Sequence, residues 1–564
     1  MIEDQVDQYV SQVVQQLNQI KDLEVTDIRK DKEGFGKYLF AKYQQNSCMI
    51  QIISVQNDEK LSQYKKLQIA IEKVNRLKQC SHKNIIRYYD SFQIEDSFFI
   101  VMEKVEFSLQ QWINDNKKNL IQKEQFLKFA LQMVEAADYL HQKKYILSNI
   151  SLKNIFLDRD LNIKLSTFTV QQEVSVKYLL HKQIYALEND QLIYFPIFLI
   201  DKRDNQDLIT LSSKQDMYTI GLCLYCLTGV SYMEVLNYIW GDKFQVSISL
   251  GVDVNQILQL MLFRNQCSFV PSPSYFIKSF QQIIESLNKQ QKKNDDKSQG
   301  QAKFQMSKDE EVQYLKLFQE IATFVDNIKQ EKEQLSEDEE GNQEIKSEVK
   351  EESQQIKSED SNDVDIFIEK TRCLTQMNQN CDILYLFLGH LYEISQDFQQ
   401  SLDSYKKAFA LNDQNDAAVF GMGLAYGELG FIQESLNCYN KYINLNTLDD
   451  EVYNNIGDIY FNLNDYNTSK SYFKKSVEFN PRQHIAFYNL GQVYFQQNMF
   501  QKGSYYLKKA KKIELDDDTS ELLGFFYKQK QDYEKSLKCY EKLSIKTQNY
   551  QQYKNLIHSI KSQI

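Results

Sequence analysis

Leu388-Gly389-His390-Leu391-Tyr392 is the first of five related stretches, followed by Gly423-Leu424-Ala425-Tyr426, Gly457-Asp458-Ile459-Tyr460, Gly491-Gln492-Val493-Tyr494 and Gly524-Phe525-Phe526-Tyr527. Their glycines lie 34, 34, 34 and 33 residues apart, and a tyrosine follows each glycine after three residues. A register this regular predicts stacked helix pairs, none of which can bury its apolar face without a neighbour. The C-terminal third is therefore expected to offer an extended binding surface.

Sixteen residues after the glycines come Tyr405, Tyr439, Phe473, Leu507 and Tyr540, four of them aromatic, and Ser401, Ser435, Ser469, Gly503 and Ser536 supply small residues where paired helices would approach. These residues read as packing residues. Together with Pro481, the pattern resembles the tetratricopeptide repeat family. It implies a repeat region over 366–545, with five repeats over 382–543, and a C-terminal capping helix over 546–564. The family's concave groove takes a peptide or a helix of a protein partner. Where some members clamp a terminal carboxylate, this chain has Phe420, Leu424, Asn454 and Asp458, so that clamp is not evident. Asn455 and Asn489, each two residues before its glycine, are the candidate peptide-binding pair.

With 564 residues, the chain has room for other domains ahead of the repeats. Its 42% hydrophobic content suits a soluble protein, and no apolar run approaches the roughly 18 residues of a membrane span. The acidic start Met1-Ile2-Glu3-Asp4 does not read as a secretory signal. Nine cysteines are read as reduced thiols, without a disulfide frame or metal site. A cytoplasmic protein, with no membrane partner, is expected. The net charge is −11, and 335–365 alone holds twelve acids against three lysines. That balance argues against a nucleic-acid partner.

Apolar residues at three- and four-residue intervals from Ile2 to Ile20 predict an amphipathic helix over 1–22. Short strand-like runs and then long helical ones over 23–288 predict a two-lobed α+β domain. A polar, acidic linker over 289–365 follows, flexible and disordered in its acidic part, with one helix at about 307–330.

Within 23–288 a series of landmarks resembles the protein kinase family. Gly34-Phe35-Gly36-Lys37 is similar to the end of a glycine-rich loop, and Cys48-Met49-Ile50-Gln51 stands where V-A-I-K would be. Phe99-Ile100-Val101-Met102-Glu103 resembles the strand entering the interlobe hinge. Asn154-Ile155-Phe156-Leu157-Asp158 resembles the strand after the catalytic loop, and Asp216 to Gly221 the start of the central helix. The resemblance implies a multidomain protein, a two-lobed kinase-like fold followed by an all-α repeat solenoid.

The resemblance also implies groups that phosphoryl transfer needs, and several are replaced. Gln51 stands for the phosphate-binding lysine, Asn149 for the catalytic aspartate and Thr167 for the metal-binding aspartate, while Asn154 is kept; counting back from His82 puts Lys73 at the helix glutamate's position, with Glu72 beside it. Lys32 and Lys37 are the displaced lysines considered as substitutes. The nucleotide pocket is read as degenerate, built from Gly36, Tyr38, Met49, Met102, Glu103, Phe156 and Asn154, with Tyr38, Met49 and Phe156 larger or longer than the family's residues. No catalytic residue, metal or cofactor is expected on this reading.

The reading is a catalytically inactive kinase-like scaffold that assembles protein partners, among them an active kinase. The alternative is an atypical Ser/Thr kinase that uses ATP and magnesium and recruits substrates through the repeats.

Overall fold

The computed structural model describes residues 17, 20, 23–29, 38–54, 63–94, 97–116, 121–147, 150, 152, 154–166, 169–170, 173–175, 208–210, 213–228, 230, 250–262, 271–295, 308–338, 348–445, 449–481, 483–513, 517–546 and 557–560. Strands β1 (Leu23–Arg29), β2 (Tyr38–Tyr43) and β3 (Asn46–Ser54) are followed by helix α1 (Gln63–Lys78), β4 (Tyr88–Ile94) and β5 (Ser97–Glu103). The strands form one antiparallel sheet in the order β1-β2-β3-β5-β4. The two-residue alternation of a strand divides its side chains between two faces. Leu39, Ala41, Cys48, Ile50, Phe99 and Val101 share one face with Leu17, while Phe40, Met49, Ile100 and Met102 join the main core on the other. Of the helix expected over 1–22, only Leu17 and Ile20 are described, and Leu17 is fully buried against the outer face.

The second lobe opens with β6 (Phe107–Ser108), α2 (Leu109–Asp115) and α3 (Lys123–Gln142). It continues with β7 (Tyr145–Ile146), β8 (Ile155–Leu157), β9 (Ile163–Leu165), β10 (Thr169–Val170), β11 (Glu173–Ser175) and β12 (Leu208–Thr210). Helices α4 (Ser213–Leu227), α5 (Val252–Met261) and α6 (Pro273–Asp295) complete its described part. Along α4 the side chains of Met217 to Leu227 are buried on every side, as an apolar run without a polar stripe requires. Cys223 and Cys226 lie there as buried cysteines, a C-x-x-C pair that the sequence expectation left out.

Helices α7 (Lys308–Asp338) and α8 (Glu348–Met377) correct the expected disorder of the acidic stretch: its described parts are helical. Glutamate, lysine and glutamine are good helix formers, a tendency that charge counting alone leaves out. On α7, Tyr314, Leu315, Phe318, Ile321, Ala322 and Val325 are buried. Tyr314 accepts a hydrogen bond from Gln256 of α5 at 2.8 Å, and Phe318 packs against Phe387 of the first repeat, ring centroids 5.3 Å apart.

Five helix pairs follow: α9 and α10 (Asp382–Ile394, Phe398–Leu411), α11 and α12 (Asp416–Glu428, Ile432–Leu445), α13 and α14 (Asp450–Asn462, Tyr466–Phe479), α15 and α16 (His484–Gln496, Phe500–Ile513), and α17 and α18 (Asp517–Gln529, Tyr533–Lys546). The 34-residue period is the period of one contact. A Cβ on Gly389, Gly423, Gly457, Gly491 or Gly524 would stand 2.6–2.8 Å from the side chain of Tyr405, Tyr439, Phe473, Leu507 or Tyr540, respectively. Ser401, Ser435 and Ser536 each donate from the second helix to the carbonyl of that glycine at 2.7–2.9 Å. Between the helices of each pair one residue takes a positive φ: Gln396, Gly430, Asn464, Asn498 and Gln531, at 56–82°. This left-handed turn at the end of the first helix reverses the chain.

The flexible tether expected between the halves is also corrected. One continuous apolar core runs from Phe40 through the large lobe and α7 to Ala417 and Ala418 of the second repeat. Polar contacts reinforce it: the Ser272 backbone N–H donates to Asp416 Oδ1 at 2.7 Å, Lys278 pairs with Asp413 at 2.6 Å, and Asn412 donates to Ser279 at 3.2 Å. The repeats are packed on the lobe because their first pairs have apolar faces to bury there.

Candidate functional site

The cleft that the kinase resemblance implies would lie between the sheet and the second lobe. On its sheet side, Gln51 sits in the middle of β3, held in register opposite Tyr38 and Ile100. Helix α1 crosses behind it, and Lys73 Nζ donates to Gln51 Oε1 at 2.7 Å. The two positions where the kinase family pairs a lysine with a glutamate are therefore still bonded, with the cation moved from strand to helix. Burial pushes the Lys73 ammonium down to about 8, and the charge of Arg76 adds to the shift. Arg76 is lowered in turn, mainly by burial and against the pull of Glu72. Among the described residues no carboxylate lies within ion-pair distance of Lys73. A buried ammonium whose charge is disfavoured by its surroundings gains from the approach of an anion.

On the other side, Asp216 of α4 is buried and accepts from the Leu147 backbone N–H at 2.8 Å, with His141 Nε2 at 2.7 Å. Burial raises its carboxyl, while His141 and the Leu147 N–H oppose the shift. The backbone leading into the expected catalytic loop is thus fixed from below. Leu147 and Leu77 share the main core, as two members of the expected apolar column. The third member, Phe168, lies outside the described residues, as do Gly36, Asn149, Thr167, Lys32 and Lys37. Asn154 is described at a turn, half-buried, and its carbonyl accepts from Ser166 at 3.4 Å.

Of the residues expected around a nucleotide base, Met49 and Met102 are register partners on β3 and β5 and are 1% exposed, and Phe156 is 6% exposed. All three belong to the main core. Glu103, next along β5, is paired with Lys164 at 2.9 Å and accepts from the Arg87 backbone at 3.0 Å. Tyr38 is placed in β2 by its backbone.

In the repeats, the Asn489 amide donates to Asn454 at 3.1 Å and to Asp458 at 3.0 Å. Asn455 bonds the Tyr439 hydroxyl. Both amides of the expected peptide-binding pair thus have hydrogen-bond partners on neighbouring helices. Burial lifts the Asp458 carboxyl to about 6.

Residues 34–294 match the protein kinase domain family, and residues 383–415, 450–483 and 520–544 match the tetratricopeptide repeat. The chain carries a protein kinase domain followed by tetratricopeptide repeats. It is similar to the serine/threonine-protein kinase Nek1 of Mus musculus, 26% identical over 249 residues that cover 42% of this chain and 20% of that protein. It is also similar to the serine/threonine-protein kinase pak-2 of Caenorhabditis elegans, 27% identical over 146 residues, 26% of this chain and 27% of that one. The chain thus spans less than a third of either relative. A solved structure of PilF from Pseudomonas aeruginosa aligns with 28% of this chain and 73% of its own, at 16% identity and a TM-score of 0.27.

These relatives overturn the expectation of a chain that is not an enzyme, since they are named serine/threonine-protein kinases. Position-by-position reading counted Gln51 as a lost cation, whereas folding sets an ammonium from α1 directly against it. The signal was present in the sequence as a lysine at the position where the helix acid belongs.

Among the described residues, no helix is long and apolar enough to cross a membrane.

Proposed function

We propose that the chain is an atypical protein kinase in which Lys73 supplies the phosphate-binding cation and the repeats, seated on the large lobe, hold a protein partner near the cleft. The bond between Lys73 and Gln51 carries this reading. An ammonium titrating near 8 is mostly protonated at neutral pH and can meet a phosphate oxygen once Gln51 releases it. Arg76, one helical turn away, adds to the same positive field. Gln51 holds the ammonium at β3, where the family's lysine would stand. A bound nucleoside triphosphate with its divalent metal would supply the phosphoryl group. Asp216, through the Leu147 N–H, would hold the catalytic-loop backbone in place.

The shared core supports the second half of the proposal, in which protein partners are assembled on one body. A partner bound to packed repeats meets the cleft at a fixed distance, which raises its effective concentration there.

The test is transfer of radiolabelled phosphate from ATP to a broad panel of proteins by the full chain, alongside Lys73→Met and Lys73→Arg. Transfer by the parent chain, at least about tenfold weaker in Lys73→Met and partly kept in Lys73→Arg, is the expected result. No transfer by the parent, or equal transfer by Lys73→Met, overturns it.

A further inference from the structure

The second helices of the repeats carry lysines with the same period as the glycines: Lys407, Lys441, Lys475 and Lys509 are each 34 residues apart. Lys406, Lys474 and Lys508 stand beside three of them, with Asn440 at the fourth place. All seven lysines are exposed. Among the described residues none is within ion-pair distance of a carboxylate. Within about one helical turn of them the same helices add Lys470, Lys511 and Lys512 and the acids Asp403 and Glu478, while Asp413 and Asp532, which ion-pair with Lys278 and Lys535, feel Lys441 and Lys508 from the ends of the stripe. In a chain of net charge −11 this is a concentrated positive stripe.

The ammonium groups are also held in place. Lys407 lies over the Tyr385 ring at 4.5 Å, Lys475 over Tyr453 at 5.8 Å and Lys509 over Phe487 at 5.3 Å, the same first-helix position in three repeats. Lys441 lies over Phe409 at 3.8 Å. A cation resting on a ring keeps its outer side free for a further anion and loses less side-chain freedom when one binds.

We infer that this lysine ladder binds an extended acidic peptide segment of a protein partner, one carboxylate cluster to each repeat. The inference names a partner chemistry for the repeats and rests on the proposed role of the repeats as a partner-holding surface. An extended backbone follows a linear stack of equivalent sites, and carboxylates spaced along it meet the ladder repeat by repeat. The excess acid elsewhere in the chain repels a long, uniformly charged polyanion such as duplex DNA, whereas a short acidic segment meets only the stripe.

The test is fluorescence anisotropy at low salt with the full chain and three labelled probes: a peptide alternating glutamate and glycine, its glutamine counterpart, and single-stranded DNA. Binding of the glutamate peptide alone is expected. It should weaken at least about tenfold in the combined variant Lys407→Gln, Lys441→Gln, Lys475→Gln, Lys509→Gln and survive in the matching arginine variant. Circular dichroism of both variants should be unchanged, because all four side chains are exposed. Failure of the glutamate peptide to bind, equal binding by the glutamine variant, or preferential binding of DNA overturns the inference. No phosphoryl transfer enters the readout, so this result and the kinase result stand or fall separately.

Discussion

Ser272 and Asp416 are 144 residues apart in sequence, and the backbone N–H of the first donates to the carboxylate of the second at 2.7 Å in a buried setting. Ser272 precedes α6 of the kinase domain, and Asp416 opens the second repeat. A carboxylate in the first turn of a helix is already favoured by the unpaired N–H groups there. Here it also receives a donor from another domain and fixes the angle at which the solenoid leaves the lobe.

Asp416→Ala leaves the Ser272 N–H buried without this acceptor. A loss of about 1–3 kcal/mol is expected by urea denaturation. The repeats should also become more accessible to limited proteolysis near α6. Unchanged stability and cleavage would show that the bond does not fasten the domains.

Gly457→Ala places a methyl 2.6 Å from Phe473 Cε1, in the packed middle of the array. Alanine's better helix propensity offsets only about 1 kcal/mol of the resulting strain. A lowered melting temperature is expected, whereas Gly427→Ala, whose new methyl would stand 3.5 Å from Ser435, should be neutral or stabilising. Equal melting of the two variants would contradict this packing.

Asp450 is half-buried beside the buried Asp449, and desolvation is the main reason its carboxyl is pushed up to about 7. Between its ordinary value of 3.8 and about 7, the native chain holds a proton that the unfolded chain has released. Stability present at low pH is therefore lost as pH rises through that window. Asp450→Asn keeps an acceptor for Asn480 and Gln483 without the charge. It should match the parent near pH 4 and exceed it at pH 7.5 by on the order of 1–2 kcal/mol. A pH-independent difference in denaturation midpoint would count against the assignment.

Met49 and Phe156 narrow the place where a nucleotide base would lie, as their near-complete burial suggests. Met49→Ala with Phe156→Leu, reducing both volumes, should raise nucleotide affinity at least about tenfold in isothermal titration. Lower or unchanged affinity would mean that these side chains pack the lobes together without limiting the pocket.

The repeat array was legible because one local contact, a glycine under a large apolar side chain sixteen residues later, imposes the period on the sequence. The kinase landmarks were legible by order and spacing. The bond between Lys73 and Gln51 was not, because which side chain meets the β3 position depends on how α1 packs and follows no local pattern. For Asn455 and Asn489 the repeated polar position was legible, but their partners Tyr439, Asn454 and Asp458 were not, since those bonds join different helices. The docking of the two halves depends on pairs such as Ser272 with Asp416, for which no local pattern exists.

The core running unbroken from Phe40 to Ala418 constrains the order of events on the ribosome. The large lobe emerges with greasy surface that only later residues can cover, and at ordinary elongation rates the wait is on the order of ten seconds. Nascent chains halted between residues 295 and 380 should therefore be clients of holding chaperones, and release should coincide with the appearance of the second helix pair.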